Sequence, residues 1–390
     1  MISLILATLL VLQDETNRPQ SVESSYIHRV ENPHYNVRNI TSLSSTAMDL
    51  VHMAMQDETD DSTWLKILKY GFSAWVDTNI GVVAHEYGHI SAFSKLGVNM
   101  QYKLYIDDAE WGTVGPHKIL LANIIGRPAV SVSEKSWDKV IASSMSDREL
   151  ALYVASIDAS GLNQEQLLVT HYAERYLAGN LSYLDSWAII WGNFTTFLYP
   201  TGLTNSDVDN YIEGLNEADV HTSIGSVKNL SLIRFLSGSS LSAFSGLYKG
   251  IGTRTSGFIK PIHLHIGDID LYLPEFESFL CQTGPTVKTR LPIKAYNISL
   301  APSIEVSHGA EFGLKLLAPI GPLEIGAAIY AQSNGYWVEG HVNIKLIREF
   351  AIMCGYERGS GYTFHRNIYG ASLGRMEHSA IVGVDFAIKF

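Results

Sequence analysis

The chain has 390 residues, 46% of them hydrophobic and 17% charged, and a formal net charge of -11 at pH 7. That length and apolar content suffice for two domains with a sizeable core, while the acidity, with no Lys/Arg-rich stretch to offset it, argues against a nucleic-acid partner. Cys281 and Cys354 form no CxxC pair, which excludes a zinc ribbon and leaves either one disulfide or two separate thiols.

In chain order, Ile2 to Leu12 is an apolar run broken only by Ser3 and Thr8. Its length fits the core of an export signal and is too short to span a bilayer. Residues 1–12 are therefore expected to be a signal peptide, with a buried terminal helix as the other reading. Residues 13–60 are polar and are expected to form an irregular lead-in. Residues 61–257 carry helical periodicity. The first helix is expected from Trp64 to Phe72 and the second from Thr78 to Leu96, stopped by Gly97. Ser146 and Glu149 form a capping box for a helix ending near Gly161. Asn163 and Gln166 form a weaker box for another, ending near Gly179-Asn180. Further helices are expected around 182–198, 206–216 and 228–248. No later stretch reaches the 18 or so uncharged apolar residues of a membrane helix; Trp187 to Leu198 comes nearest.

Residues 258–390 alternate with a period of two. Val338, Val342, Ile344 and Leu346 interleave with Glu339, His341, Asn343 and Lys345. Phe312, Leu314 and Leu316 repeat the pattern, as do Leu323, Ile325 and Ile329, and Pro319-Ile320-Gly321-Pro322 reads as the turn between them. About eight strands are expected from Phe258 onward.

His85-Glu86-Tyr87-Gly88-His89 is an HExxH motif inside the second helix. Positions i and i+4 share one helical face, so both imidazoles can reach one ion. Zinc favours nitrogen ligands at about 2.0–2.1 Å, and a catalytic site keeps one position for water. Glu86 then takes a proton from the attacking water and hands it to the leaving amine. The bland alternative is a pair of hydrogen-bonded helix histidines. The apolar setting, Ile80, Val82, Val83 and Ala84 before the motif and Ile90, Ala92 and Phe93 after it, favours the metal site. Gly88 lets another segment approach closely. His263 and His265 share a strand face, which is more often a polar face than a metal site. Asp207 and Asp209, near Asn210, lack the glycine and the closing glutamate of an EF-hand.

The stretch Val83 to His89, with Ala92 and Gly97-Val98 beyond it, resembles the zincin metallopeptidase helix. It is also similar to the HExGH-xx-A-xxxx-G pattern of site-2-protease relatives. The resemblance implies zinc-dependent peptide hydrolysis, with His85 and His89 as ligands and Glu86 as the base. It covers about twenty residues around the motif. A metzincin would have glycine and histidine where this chain has Ala92 and Lys95, and Leu184-Asp185-Ser186 is a poor counterpart of the site-2 LDG segment. Gluzincin-type enzymes most often take the third ligand from a Glu on a later helix. On that resemblance Glu165 is the expected third ligand, with His171, Glu174 and Asp185 as competitors; an acid in a first helical turn also simply suits the helix dipole.

At the end of the chain Val382, Val384, Phe386, Ile388 and Phe390 fall on one face, and Gly383, Asp385, Ala387 and Lys389 on the other. This resembles the terminal strand of Gram-negative outer-membrane barrels. A soluble barrel turns the same apolar row inward, and Pro292 and Pro302 must mark bulges or strand starts in any closed barrel.

The expectation is thus an α+β protein. A mostly helical, zincin-like domain (61–257) precedes an antiparallel β-barrel (258–390) in an outer membrane, and the helical domain faces the periplasm on the side of Phe390 because an even strand count returns the chain there. Zn2+ is the expected cofactor, protein or peptide the substrate, and membrane lipid the partner. The alternatives are a binding or assembly protein that keeps the metal without turnover, and a soluble secreted metallopeptidase with a β accessory domain.

Overall fold

A computed structural model describes residues 22–30, 37–55, 62–95, 98, 100–106, 109–113, 127–132, 146–202, 206–252, 257–306, 309–333, 335–347, 350–361 and 377–388. The expected signal peptide and Phe390 lie outside these. The described chain is α+β: a helical part followed by a large antiparallel sheet.

The helical part holds α1 (Val37–Met55), α2 (Thr63–Lys95), α3 (Asp147–Leu177), α4 (Ser186–Leu198), α5 (Asp207–Glu217), α6 (Ile224–Leu232) and α7 (Gly238–Gly252). The two helices expected at 64–72 and 78–96 are one. Nothing between them breaks a helix, and Ser73, Val76 and Asp77 are buried. Ser146 caps α3 as expected, accepting from the Glu149 amide at 3.3 Å while Glu149 Oε2 accepts from the Ser146 amide at 2.8 Å. The helix does not stop at Gly161 but runs on to Leu177. A mid-helix glycine costs about 1 kcal/mol, and the unbroken burial of residues 159–169 outweighs it. Asn163 and Gln166 are not caps. The Asn163 amide clamps the backbone N–H and C=O of Leu280, at 2.8 Å each, and Gln166 Nε2 donates to Gly192 O at 2.7 Å. The helix expected over 228–248 is split by a 3-10 turn at Ile233–Leu236. Leu168, Tyr172, Tyr176, Leu181, Leu184 and Ile189 anchor the core that these helices enclose.

Within the expected irregular lead-in lie α1 and a strand, β1 (Val22–Val30). After it come β2 (Met100–Ile106), β3 (Ala109–Thr113) and β4 (Arg127–Val132), a small separate sheet, and the short pair β5 (Leu181–Ser182) and β6 (Phe258–Ile259). The main sheet takes β1 together with β7 (His263–Ile266), β8 (Ile269–Tyr272), β9 (Glu275–Cys281), β10 (Gly284–Arg290), β11 (Ile293–Ala295), β12 (Ile298–Val306), β13 (Ala310–Ile320), β14 (Leu323–Gln332), β15 (Gly335–Ile347), β16 (Phe350–Gly361) and β17 (Glu377–Ile388). That makes twelve strands where about eight were expected from Phe258 alone. Two of the extra breaks fall at prolines. Pro274 separates β8 from β9, and Pro292 separates β10 from β11, which share the partner β12. Pro302 sits opposite that second break, where its missing N–H interrupts no ladder.

The sheet order runs β1-β17-β16-β15-β14-β13-β12 and on to β11-β8-β7, with β10 and β9 alongside. It is open among the described residues: β1 and β7 end the path without pairing to each other. Helix α1 packs along β1 and α3 along β9. The strand β1 is antiparallel to β17, Val30 opposite Ala380 and Val22 opposite Ile388. One end of the sheet, hereafter the terminal end, therefore carries the start of β1 and the finish of β17. The other, the helical end, carries the finish of β1, from which the chain passes into α1.

The two faces of the sheet differ in the reverse of the soluble sense. On the sheltered face Glu305 pairs across to Glu311, Tyr330 to Trp337 and Glu339 to Glu357. Glu357 is 0% exposed, and Glu305 and Glu311 are buried too. Arg290 and Lys315 on this face meet Glu174 of α3 at 3.3 and 2.7 Å. On the open face Ile304 pairs to Phe312, Leu314 to Ile329 and then Val338, and Ile344 to Ile352. Phe312 is 63% exposed and the rest of this row is exposed as well.

Candidate metal centre

His85 and His89 stand one turn apart on α2, facing α3 where the two helices cross. The crossing is close because of two glycines. A Cβ on Gly88 would overlap the carbonyl of Ser160, and a Cβ on Gly161 would lie 2.5 and 2.6 Å from the Nε2 atoms of His85 and His89. Gly161 is therefore the wall of the site rather than the end of a helix.

Both rings are held by Nδ1. His85 Nδ1 lies 2.8 Å from Glu165 Oε1, and His89 Nδ1 lies 2.8 Å from the carbonyl oxygen of Ile157. A carbonyl and a carboxylate accept only, so each Nδ1 carries a proton and each Nε2 faces the other way. The two Nε2 atoms are 3.2 Å apart and meet Asp207 Oδ2 at 2.9 Å from His85 and 3.4 Å from His89. Asp207 opens α5, behind the N-cap Ser206. The phenol of Tyr199 donates to the same oxygen at 2.5 Å, and its ring stacks on His85 at 5.9 Å.

These three atoms fit a metal ion. Tetrahedral zinc with bonds of about 2.0–2.1 Å sets its ligand atoms about 3.3 Å apart, and the observed triangle has edges of 2.9, 3.2 and 3.4 Å. His85, His89 and Asp207 are the group among the described residues whose donor atoms converge in this way. The field of the pocket favours positive charge. Burial works against charge on His85, yet its hydrogen bonds to Asp207 and Glu165 outweigh it and hold the ring well above the usual histidine range. His89 is raised in the same manner, chiefly by Asp207. Against the pull of burial, the two imidazoles push the Asp207 carboxyl far down. Nearby, burial pushes Asp158 up to about 7.

The expected residues thus fall into two groups. His85 and His89 converge; Glu86, half-buried on the same helix, lies within electrostatic reach of His89 and Tyr199. Glu165 is brought to His85, but to the ring nitrogen that points away from the convergent face. The competitors lie elsewhere: Glu174 meets the sheet, Asp185 meets His52 at 2.6 Å, and His171 packs edge-on to Tyr172. His263 and His265 stand around Asp270, outside the convergent group. Cys281 and Cys354 are free thiols. Asp207 is not legible as a ligand from its local sequence, where Asp207 and Asp209 suggest only an EF-hand that lacks its glycine and closing glutamate. Its position one residue after an N-cap serine, downstream of Tyr199, is a signal only once α4 and α5 are known to return to the motif helix.

Alanine at 161 should therefore block zinc while improving the intrinsic helix propensity of α3 by about 1 kcal/mol. Gly161→Ala is expected to fold, by far-UV circular dichroism, and to bind no zinc in an equilibrium titration. Full zinc binding by that variant would show that the space beside the two Nε2 atoms is not where the ion sits.

No protein-family model matches the chain, and no curated protein matches it. Among solved structures, an anion-selective porin from Comamonas acidovorans is similar over 32% of this chain and 47% of that one, at 13% identity and a TM-score of 0.24. The similarity spans less than half of the porin and is too loose to define a shared fold.

Proposed function

We propose that the chain is a zinc-dependent peptide hydrolase anchored in an outer membrane. The observation that carries the hydrolase reading is the convergence of His85 Nε2, His89 Nε2 and Asp207 Oδ2 on one point, one residue from Glu86. Zinc held there would polarise the scissile carbonyl and acidify the attacking water. Glu86 takes up the proton and delivers it to the departing amine. Glu165 and the Ile157 carbonyl keep both imidazoles in the tautomer that presents Nε2, the role of a carboxylate or carbonyl behind a metal-binding histidine. Tyr199 fixes the Asp207 carboxylate by its hydroxyl.

The membrane reading rests on the inverted faces of the sheet. A soluble barrel buries its apolar row, whereas here the apolar row is exposed and glutamates are sheltered. Strands β12–β17 run from 9 to 13 residues, enough for the 9–11 or so that cross a bilayer at a tilt. No helix among the described residues is long and apolar enough to cross a membrane; on this reading the anchor is the sheet, with lipid against its open face. This polarity disfavours the soluble secreted alternative.

Hydrolysis of an unstructured protein such as casein should stop when a strong chelator strips the purified chain and return on adding zinc. Unchanged hydrolysis by metal-free protein would remove the metal from the reaction. Zinc binding without hydrolysis of any protein or peptide would favour the non-catalytic reading.

A further inference from the structure

The strand directions bear on which side of the membrane the site faces. At the terminal end 267–268, 296–297 and 321–322 are two-residue turns, and two residues likewise separate β15 from β16. At the helical end two residues separate β9 from β10 and β14 from β15, three separate β12 from β13 and fifteen separate β16 from β17, and the whole helical insertion follows β1 there. In outer-membrane barrels the short turns are periplasmic and the long connections extracellular. The metal centre belongs to the helical end. Asn163, two residues past Gly161, clamps Leu280, and Tyr211, one turn beyond Asp207, donates to Cys281 O at 2.8 Å. Both contacts lie beside the 282–283 turn of the β9–β10 hairpin, which projects at that end.

We infer that the metal centre faces the outside of the cell, so that its substrates are proteins of the surroundings rather than periplasmic ones. This rests on the outer-membrane reading above. The periplasmic placement expected from the sequence assumed that the helical domain enters the sheet only near Phe258. The structure places one strand, β1, ahead of that domain, and one strand moves it to the opposite side.

The test uses two variants with Cys354→Ser, made in a Gram-negative host, in which the added cysteine is exposed and the remaining native one, Cys281, is buried. Glu217→Cys puts a thiol at the exposed end of α5, at the helical end, and Pro322→Cys puts one in the exposed 321–322 turn at the terminal end. A membrane-impermeant maleimide on intact cells should label the first, and label the second only after the outer membrane is opened. The reverse pattern, with the chain still requiring detergent, would overturn the orientation and leave the membrane reading standing. Equal labelling of both sites before opening, or of both only after it, with the chain soluble without detergent, would defeat the membrane reading and the orientation with it.

Discussion

Glu86→Gln should lower turnover about 10²–10⁴-fold, the usual contribution of a general base, and leave zinc content unchanged. Glutamine keeps the size and the hydrogen-bonding reach of the side chain but cannot take a proton at neutral pH. Glu86 is not among the three convergent donors, so the ion has no reason to leave. The loss should appear in kcat more than in KM, because the proton moves only as the bond breaks. Activity within threefold or so of the parent would mean that another group moves the proton.

The second large effect concerns stability and lies away from the centre. His52 of α1 is 1% exposed and sits between two aspartates: Nδ1 is 2.6 Å from Asp185 Oδ1 and Nε2 is 2.9 Å from Asp77 Oδ1. Ser73 Oγ is 2.6 Å from the same Nε2, and Arg175 joins Asp49 and Asp185 beside it. Burial opposes the charge on this ring, yet Asp77 and Asp185 outweigh it and hold His52 up to about 10. Removing the ring takes the cationic partner from buried Asp77 and one of the partners from Asp185, so His52→Leu should cost about 3–5 kcal/mol. The pH dependence has a definite sign. A pKa raised in the folded state stabilises fully below the unfolded value of about 6.5 and is lost as pH rises through the folded one. The thermal midpoint of the parent in detergent should fall from pH 7 to pH 10, and His52→Leu should start lower and lack that fall. A variant that melts like the parent, with the same slope, would mean that the ring carries no charge in the fold.

Local rules made part of this legible. The Ser146–Glu149 box needs only four residues to be read, and the alternation of 338–346 needs only a period. The HExxH spacing puts His85 and His89 on one face of any helix that contains them. What stayed hidden depends on contacts far apart in the chain. Asn163 looks like a cap until Leu280, 117 residues later, is known to meet its amide. Gly161 looks like a stop because a helical glycine is unfavourable; its use, admitting α2 with its two histidines, is a tertiary fact. The same holds for Glu165, expected as the third ligand, whose contact with the Nδ1 of His85 follows from the helix crossing. Strand β1 was lost in a polar stretch because its partner β17 lies at the far end of the sequence.

On the proposed reading Asp207 completes the centre while Glu165 orients His85 from behind. Zinc titration of Asp207→Ala and Glu165→Ala beside the parent tests it most directly, with far-UV circular dichroism confirming that each is folded. The parent should take up stoichiometric zinc. Glu165→Ala should still saturate, with affinity weakened about 10–100-fold as for other residues behind a metal ligand, and Asp207→Ala should fail to hold zinc under the same conditions. Parent-like affinity in Asp207→Ala, or outright loss of zinc in Glu165→Ala alone, would contradict the assignment and return Glu165 to the place of third ligand.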